Sequence, residues 1–467
     1  MKPLFEHQQK AVDFLMRKGS GAIFYEMGLG KTRAGIEYFS QRLKTEFSLK
    51  LLVICPLSLI EPAWGADIRE FSNLKYWNCH DNGIPKGQDL RDSEVLIINY
   101  EAFIQDKNYK ALQNLMVFFD FMVIVDESSR MKNPKSITTK KIMQIRDKFK
   151  YRVVMTGTPA PNGDEEYWAQ INFVEPDILH SSFYAFRNSF FHLARGRQVL
   201  PAGAFVTRQQ MAEIFGKGFK YEITQEKKKE LMACIAPYCI RATKDECMDL
   251  PDVINEYREV TLGKNQAEAI KQMRRHLITE INGKAITAPA ALTKLMKERE
   301  LVSGFAIDEG GAIVEIGENP KLRELEAILD EIAGKQAIIW CQFQHEIRTI
   351  KGRLGDRATT LYAGTDDKAD SIQGFKEGRY QYLIAHPRSA AHGLTFTNAS
   401  YEIFYSLDYS FEAHEQARAR THRAGQTQKC TYIYLIAKDS IDEKIMEVLK
   451  NKSDAQEVLF SMLRVAV

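Results

Sequence analysis

The chain of 467 residues is 45% hydrophobic and 27% charged, a composition typical of globular proteins, and it is long enough for two or three domains. Its 64 Lys and Arg against 61 Asp and Glu leave a net charge of +3, so any surface that binds nucleic acid has to be local. No apolar run of about 18 residues and no signal-like N-terminus occur, which argues against a membrane protein. Seven scattered cysteines suggest reduced thiols, and we expect a cytoplasmic location.

A glycine-rich turn, YEMGLGKT, lies at residues 25–32 between an apolar run and a helix-forming segment. Gly28 and Gly30 permit a tight turn whose N–H groups point at a phosphate, and the helix that follows adds its positive dipole. Lys31 can reach the β and γ phosphates of ATP, and the Thr32 hydroxyl can hold Mg²⁺. The full phosphate-loop pattern has Gly where this turn begins with Tyr, so an ordinary strand-to-helix turn is the alternative.

The segment before this turn, residues 4–15, has apolar residues at helical spacing and predicts an amphipathic helix. Gln8 in that helix carries an amide with one donor and one acceptor edge, which suits recognition of adenine. Periodicity alone favours the alternative, a solvated glutamine.

Continuous apolar runs that alternate with helical patterns predict buried parallel strands up to about residue 170. Asp126 and Glu127 follow the run 121–125, at a carboxyl strand end, where ligands bind in open α/β sheets. Asp126 can hold Mg²⁺ through its water shell, and Glu127 can orient or deprotonate an attacking water; a solvated acidic turn is the alternative. The next run ends in TGTP at 156–159, which fits either coupling to a neighbouring domain or simple turn chemistry.

The middle of the chain departs from this alternation. Residues 173–236 are rich in Phe, Tyr and Arg, and we predict a mostly helical accessory insertion. Residues 237–318 are predicted to form a bridging segment with basic helices, whose charges indicate a solvated face or, as the alternative, a surface that follows phosphates.

A second α/β region is predicted for residues 319–467, with five apolar strand runs. The segment 416–426 before the last strand is predicted to be helical, and Arg420 and Arg423 would then share one face. Two planar cations on one face suit stabilisation of phosphoryl charge, whereas a salt-bridged surface helix is the alternative. The predicted fold class is therefore α/β, with two doubly wound parallel-sheet lobes and helical insertions between them.

The order of these motifs resembles that of the superfamily 2 helicases and, more narrowly, of the Swi/Snf-type ATPases. The Asp-Glu box departs from the commoner family pattern in having Ser128 and Ser129 in place of Ala-His. The segments that carry the resemblance are 26–32, 55–59, 99–101, 126–133, 156–162, 241–251, 339–343, 390–395, 408–409 and 416–426.

The resemblance implies two RecA-like lobes that bind ATP and Mg²⁺ in a cleft. The first lobe, 1–172, would contribute Gln8, Gly28, Gly30, Lys31, Thr32, Asp126 and Glu127. The second lobe, 319–467, would contribute Gly393, Gln416 and the two arginine fingers Arg420 and Arg423. The motif positions expected to contact DNA are Ser58, Tyr100, Lys132, Asn133, Gln342, Ser389 and Tyr409.

The function implied by the resemblance is that of an ATP-dependent DNA translocase, monomeric on DNA, in the cytoplasm of a bacterium or an infected cell. The short chain leaves no room for a histone-reading module, so we expect remodelling of forks or branched DNA by fork regression, branch migration or annealing. The alternatives are a strand-separating helicase, which a wedge near 175–235 would favour, a nucleotide-switched binding module, and the motor subunit of a nuclease or remodelling assembly.

Overall fold

The computed structural model describes residues 3–195, 198–199, 220–276, 278–281, 284–287, 291–332, 334–389 and 394–464. The chain divides into two compact units, one comprising Met1–Met248 with Asp454–Val467 and the other Asp249–Ser453. Within the described ranges, no helix is both long enough and apolar enough to cross a membrane.

The first unit is built on a parallel sheet. The strands of this unit are β1 (Gly21–Tyr25), β2 (Lys50–Cys55), β3 (Tyr76–Asn78), β4 (Val95–Asn99), β5 (Phe121–Asp126), β6 (Phe149–Met155), β7 (Phe191–Arg195), β8 (Gln198–Val199), β9 (Lys220–Ile223) and β10 (Cys239–Ala242). Seven of them form one sheet in the order β10-β1-β6-β5-β2-β4-β3, and all neighbouring pairs in it are parallel.

Helices cover both faces of this sheet. They are α1 (Glu6–Lys18), α2 (Lys31–Leu43), α3 (Ala66–Phe71), α4 (Cys79–Asn82), α5 (Gly87–Asp92), α6 (Tyr100–Phe103), α7 (Asp106–Leu115), α8 (Ile137–Gln144), α9 (Tyr167–Val174), α10 (Phe183–Phe190), α11 (Gln225–Ile235) and α12 (Lys244–Cys247). Successive residues of one strand enter opposite cores: Leu52 lies in one hydrophobic cluster and Val53 in the other. Burial on both faces is why the central strands are continuous apolar runs rather than alternating ones.

The segment predicted as a mostly helical insertion, 173–236, contains strands as well as helices. Here β7 pairs antiparallel with β8 and β9 to form a separate three-stranded sheet between α10 and α11. Strand β10 joins the edge of the main sheet beside β1, so residues 237–248 fold with the first unit and not with the segment that follows. A strand of four residues carries too little periodicity to be read from sequence.

The second unit contains another parallel sheet. Its strands are β11 (Val253–Val260), β12 (Ile278–Ile281), β13 (Lys284–Thr287), β14 (Phe305–Ile307), β15 (Ile313–Glu315), β16 (Ala337–Trp340), β17 (Ala358–Leu361), β18 (Tyr382–Ala385), β19 (Tyr401–Phe404) and β20 (Cys430–Ala437). Six of them form a sheet in the order β11-β20-β19-β16-β18-β17, again with all pairs parallel.

The helices that begin in the second unit are α13 (Lys264–His276), α14 (Ala291–Val302), α15 (Pro320–Glu331), α16 (Gln344–Leu354), α17 (Lys368–Lys376), α18 (Phe411–Arg418) and α19 (Ile441–Arg464). Two antiparallel pairs, β12–β13 and β14–β15, lie apart from the sheet. The pair β12–β13 separates α13 from α14 within the segment 237–318, for which a bridging segment with basic helices was predicted. The predicted fold class, two parallel-sheet α/β lobes with helices, is confirmed.

A buried ion pair joins the first turn of α15 to the first turn of α19 in the second unit. Lys321 Nζ lies 2.8 Å from Asp442 Oδ2, and the two side chains are 0% and 5% exposed. The Ala437 N–H also donates to this carboxylate, at 3.2 Å.

We expect Lys321→Met to lower the free energy of unfolding of the second unit by about 3 kcal/mol, because it leaves a buried carboxylate without its cation. Urea denaturation of the full chain measures this loss. The double variant with Asp442→Asn should lose less than the sum of the single variants, since the charge that needs the cation is then absent. A loss below about 0.5 kcal/mol for Lys321→Met would contradict the assignment.

Candidate active site

The turn between β1 and α2 has the backbone shape of an anion site. Gly28 and Gly30 have φ values of +92° and +69°, which favour glycine. A Cβ atom at Gly30 would collide with Gln8 Nε2, so a larger residue there would displace the Gln8 side chain. Lys31 Nζ donates to the Tyr25 carbonyl at 2.8 Å, which keeps its charge at the turn. These residues lie at the N-terminus of α2, where N–H groups and the helix dipole favour a phosphate.

Helix α1 buttresses this turn through two neighbouring polar side chains. Both His7 Nε2 and Gln8 Nε2 lie within hydrogen-bonding distance of the Leu29 carbonyl, at 2.9 and 3.4 Å. The Tyr25 hydroxyl donates to the His7 carbonyl at 2.6 Å. Gln8 is therefore buried at the phosphate turn, unlike a solvated glutamine, while its recognition of adenine stays a prediction. Sequence reasoning missed His7, although two consecutive polar residues in an amphipathic helix were a signal.

Asp126, the last residue of β5, is held by neutral donors. Trp64 Nε1 donates to its Oδ2 and the Glu127 N–H donates to its Oδ1, both at 2.9 Å. Burial raises the pKa of the Asp126 carboxyl, while the Trp64 bond and the charge of Lys31 act in the opposite direction. Trp64 was not predicted, because a single Trp outside any motif gives no sequence pattern.

Glu127 adopts a left-handed backbone conformation, with φ of +49° and ψ of +52°. Such a conformation in a residue other than glycine costs on the order of 1 kcal/mol and is common at functional sites. The Thr156 hydroxyl donates to Glu127 Oε2 at 3.4 Å, so the strained turn brings the Asp-Glu box to the TGTP segment. Strand β6 lies between β1 and β5, which places this segment beside the phosphate turn as well.

The side chains at this edge of the first sheet fit Mg²⁺. Asp126 offers carboxylate oxygens, each of which accepts one hydrogen bond and keeps capacity for a further interaction. Thr32 adds a hydroxyl oxygen in the first turn of α2. Mg²⁺ takes oxygen ligands and usually keeps several waters, and when bound it would neutralise phosphate charge.

Ser128, which departs from the family pattern, makes a buried polar connection. Its hydroxyl donates to Gln170 Oε1 at 2.7 Å, and Gln170 Nε2 donates to the Pro159 carbonyl at 2.6 Å. The Asp-Glu box and the TGTP segment are thus joined through α9 by neutral hydrogen bonds.

In the second unit, the two predicted arginine fingers do not share a helix face, because α18 ends at Arg418. They lie in the turns that follow, so the predicted helix over 416–426 is wrong beyond Arg418. Tertiary contacts still bring them together: Arg420 and Arg423 both donate to the Leu394 carbonyl, at 3.0 and 3.1 Å. Arg423 also donates to Thr395 Oγ1 at 2.8 Å.

The other predicted residues differ in exposure. Gln416 is buried in α18, and Gly393 lies outside the described residues. Tyr100 is 2% exposed, and its hydroxyl donates to the Asp126 carbonyl at 2.7 Å. Its side chain thus supports the turn at Asp126 and Glu127 and is too buried to contact DNA. The remaining predicted DNA contacts are exposed or half-buried: Ser58, Lys132, Asn133, Gln342, Ser389 and Tyr409.

A buried carboxyl group lies close to the arginine-bearing turns. Glu402 Oε2 accepts a hydrogen bond from Trp340 Nε1 at 2.6 Å, and Oε1 accepts one from the Thr421 hydroxyl. Burial raises the pKa of Glu402 to about 7, against the opposing effects of these two hydrogen bonds and of the Arg418 charge.

We expect Gly30→Ala to weaken ATP binding at least about tenfold, because the new Cβ would displace Gln8 and deform the turn. Binding of a fluorescent ATP analogue measures this. Gly83→Ala is the matched control: Gly83 also has φ of +69°, but nothing lies within 4 Å of its Cβ position. Equal ATP affinity of the two variants would contradict the proposed fit.

We expect the contribution of Glu402 to stability to depend on pH. Its pKa in the folded protein, about 7, lies above the ordinary value of 4.5, so the folded state binds this proton more tightly than the unfolded state. The contribution of Glu402 to stability is therefore fully present below pH 4.5 and falls by about 3 kcal/mol as the pH rises to about 7. Glu402→Gln should lack this fall, and thermal unfolding of both proteins across this range measures the difference. Parallel curves would contradict the raised pKa.

Two family models match the chain in succession. The SNF2-related domain matches residues 7–303, and the helicase conserved C-terminal domain matches residues 320–425. The first of these alone covers more than half of the chain.

Similar proteins come from a phage and from cellular organisms. Putative protein p41 of Acyrthosiphon pisum secondary endosymbiont phage 1 is 23% identical over 98% of this chain and 98% of its own length. An uncharacterized ATP-dependent helicase of Mycoplasma pneumoniae is 24% identical over 97% of this chain and 42% of its own length. Protein CHROMATIN REMODELING 4 of Arabidopsis thaliana is 24% identical over 96% of this chain, which spans 21% of that protein.

Among solved structures, the Sulfolobus solfataricus SWI2/SNF2 ATPase core in complex with dsDNA is 24% identical, with coverage of 100% of this chain and 95% of that one and a TM-score of 0.44. The family models decide the assignment. The chain belongs to the SNF2-related family and is a DNA-dependent ATPase of helicase superfamily 2.

Proposed function

We propose that this ATPase moves along duplex DNA and remodels forked or branched DNA, by branch migration, fork regression or annealing. The observation that carries the proposal is the phosphate turn with Asp126 and Glu127 at the same edge of the first sheet. ATP hydrolysis at such a site depends on positioning and on charge, and a motor needs both to change with nucleotide state.

In the proposed reaction, Lys31 and the N-terminal turn of α2 would hold the phosphates of ATP, and Asp126 with Thr32 would hold Mg²⁺, which would neutralise phosphate charge. Glu127 orients the attacking water, and its contact with Thr156 fixes where its carboxylate points. Arg420 and Arg423 of the second unit stabilise the charge of the transition state, and their shared contact with Leu394 supports a common function.

DNA binding is proposed to rely on phosphate contacts. Ser58 and Asn133 are exposed, and Lys132 is half-buried with Nζ 3.8 Å from Glu166 Oε1. Such contacts are sequence-tolerant and weaken steeply with salt. The matches to the SNF2-related domain and the helicase C-terminal domain support DNA as the track. We further propose that the protein acts on DNA as a monomer, in the cytoplasm of a bacterium or an infected cell.

A strand-separating helicase is the second candidate, and one observation favours it. The antiparallel sheet of β7, β8 and β9 lies within the segment 175–235, where a wedge would favour this candidate. Paired antiparallel strands are one way to build such a wedge. The third possibility, a motor subunit of a larger nuclease or remodelling assembly, would require a partner that supplies the second activity.

We expect duplex or junction DNA to stimulate ATP hydrolysis by the full chain, and Arg423→Ala to lower the stimulated kcat at least about a hundredfold, because the transition-state charge loses a cation. Steady-state hydrolysis without DNA and with single-stranded, duplex and four-way-junction DNA measures this. Arg353→Ala is the matched control, since its side chain is 64% exposed on the same unit.

The DNA substrates separate the candidates. Stimulation by duplex and junction DNA, followed by movement of a synthetic junction, supports the proposal. Stimulation by single strands alone favours strand separation. The absence of stimulation by any DNA would overturn the DNA-motor proposal.

A further inference from the structure

Glu402 and Thr421 form a buried contact under the turns that carry the two arginines. Glu402 lies in β19, between β16 and β20, and both Glu402 and Thr421 are 0% exposed. The two oxygens of the carboxyl group accept hydrogen bonds from Thr421 and Trp340, respectively. This contact joins the middle of the sheet to the backbone just after α18.

Burial of a carboxyl group at this position is costly. The residues in register with Glu402 on the adjacent strands are Ile338 and Tyr432, and Trp340 packs in the same core. An apolar side chain of similar size would satisfy such a core at least as well, whereas a hydrogen-bonded carboxyl group specifies where its partners lie. The stability of the core therefore does not explain a carboxyl group at this position. Its hydrogen bond with Thr421, which fixes the position of that residue, does explain it.

Thr421 lies between the two arginines in sequence, and its backbone is part of their support. The Arg423 N–H donates to the Thr421 carbonyl at 3.1 Å, and Gln426 Nε2 donates to the same carbonyl at 3.3 Å. The Phe396 N–H donates to the Arg420 carbonyl at 2.9 Å. A displacement of Thr421 would thus move the backbone of both arginines relative to the Leu394 carbonyl that they share.

We propose that Glu402 and Thr421 are positioning residues for ATP hydrolysis, which fix the backbone between Arg420 and Arg423 and thereby orient both guanidinium groups. The inference rests on the proposed role of these arginines in the reaction. Neither positioning residue contacts nucleotide in this scheme, so their loss lowers kcat and leaves the KM for ATP nearly unchanged.

The test is steady-state ATP hydrolysis by the full chain with saturating duplex DNA. Thr421→Val keeps the shape of the side chain but removes the hydroxyl, and it should lower kcat about tenfold with the KM for ATP within about twofold. Thr421→Ser restores the hydroxyl and should return kcat to within about twofold of the wild-type value. Thr359→Val is the matched control, since Thr359 also has a buried hydroxyl, which donates to Ser371 in the same unit but remote in sequence from the arginines.

A second pair of variants tests whether the two residues act together. Glu402→Leu removes both acceptors and should reproduce the kcat loss of Thr421→Val. The double variant should then be no slower than the slower single variant, because both substitutions remove the same contact.

The outcomes separate this inference from the proposed function. If Thr421→Val retains wild-type kcat while Arg423→Ala is inactive, the positioning role is overturned and the proposed function stands. Equal losses in Thr421→Val and Thr359→Val, or multiplicative losses in the double variant, also overturn it, because they indicate general destabilisation. Wild-type activity of Arg423→Ala would overturn both.

Discussion

The candidate active site of the first unit depends on the parallel pairing of its strands. In a parallel sheet all carboxyl strand ends meet at one edge, so residues distant in sequence become neighbours. The order β1-β6-β5 places the phosphate turn, Thr156 and Asp126 side by side at that edge. Burial of both faces of this sheet favours apolar residues along its central strands, so the polar side chains of the first unit's site lie where strands end.

Within this frame, neutral hydrogen bonds hold the charged groups. The Asp126 carboxylate accepts hydrogen bonds from an indole N–H and a backbone N–H. At the phosphate turn, the side chains of His7 and Gln8 both lie within hydrogen-bonding distance of the Leu29 carbonyl. Neutral donors orient a carboxylate without cancelling its charge, so the charge remains available to a cation. The Ser128–Gln170 bond follows the same principle and joins two motifs without an ion pair.

In the second unit, a backbone carbonyl holds two charged side chains together. Arg420 and Arg423 are set in turns rather than on a helix, and turns specify side-chain direction less firmly than a helix does. Their common acceptor, the Leu394 carbonyl, brings the guanidinium groups together. The buried hydrogen bond from Thr421 to Glu402 also joins these turns to the sheet, so the position of their backbone is fixed.

The sequence by itself determined the two α/β lobes, the central strands, the phosphate turn and the family, because long apolar runs and ordered motifs are local signals. Strands β10 and β11, the antiparallel pairs and the end of α18 at Arg418 were not predicted, since edge strands and helix ends depend on tertiary contacts. Tyr100 is a further example of this limit. The sequence motif is compatible with a tyrosine that faces a ligand or one that faces the core, and only the packing of the folded chain shows that Tyr100 is buried. Trp64, His7 and Glu402 act through partners 62, 22 and 19 residues away in the chain, and such pairings exist only once the sheets have formed.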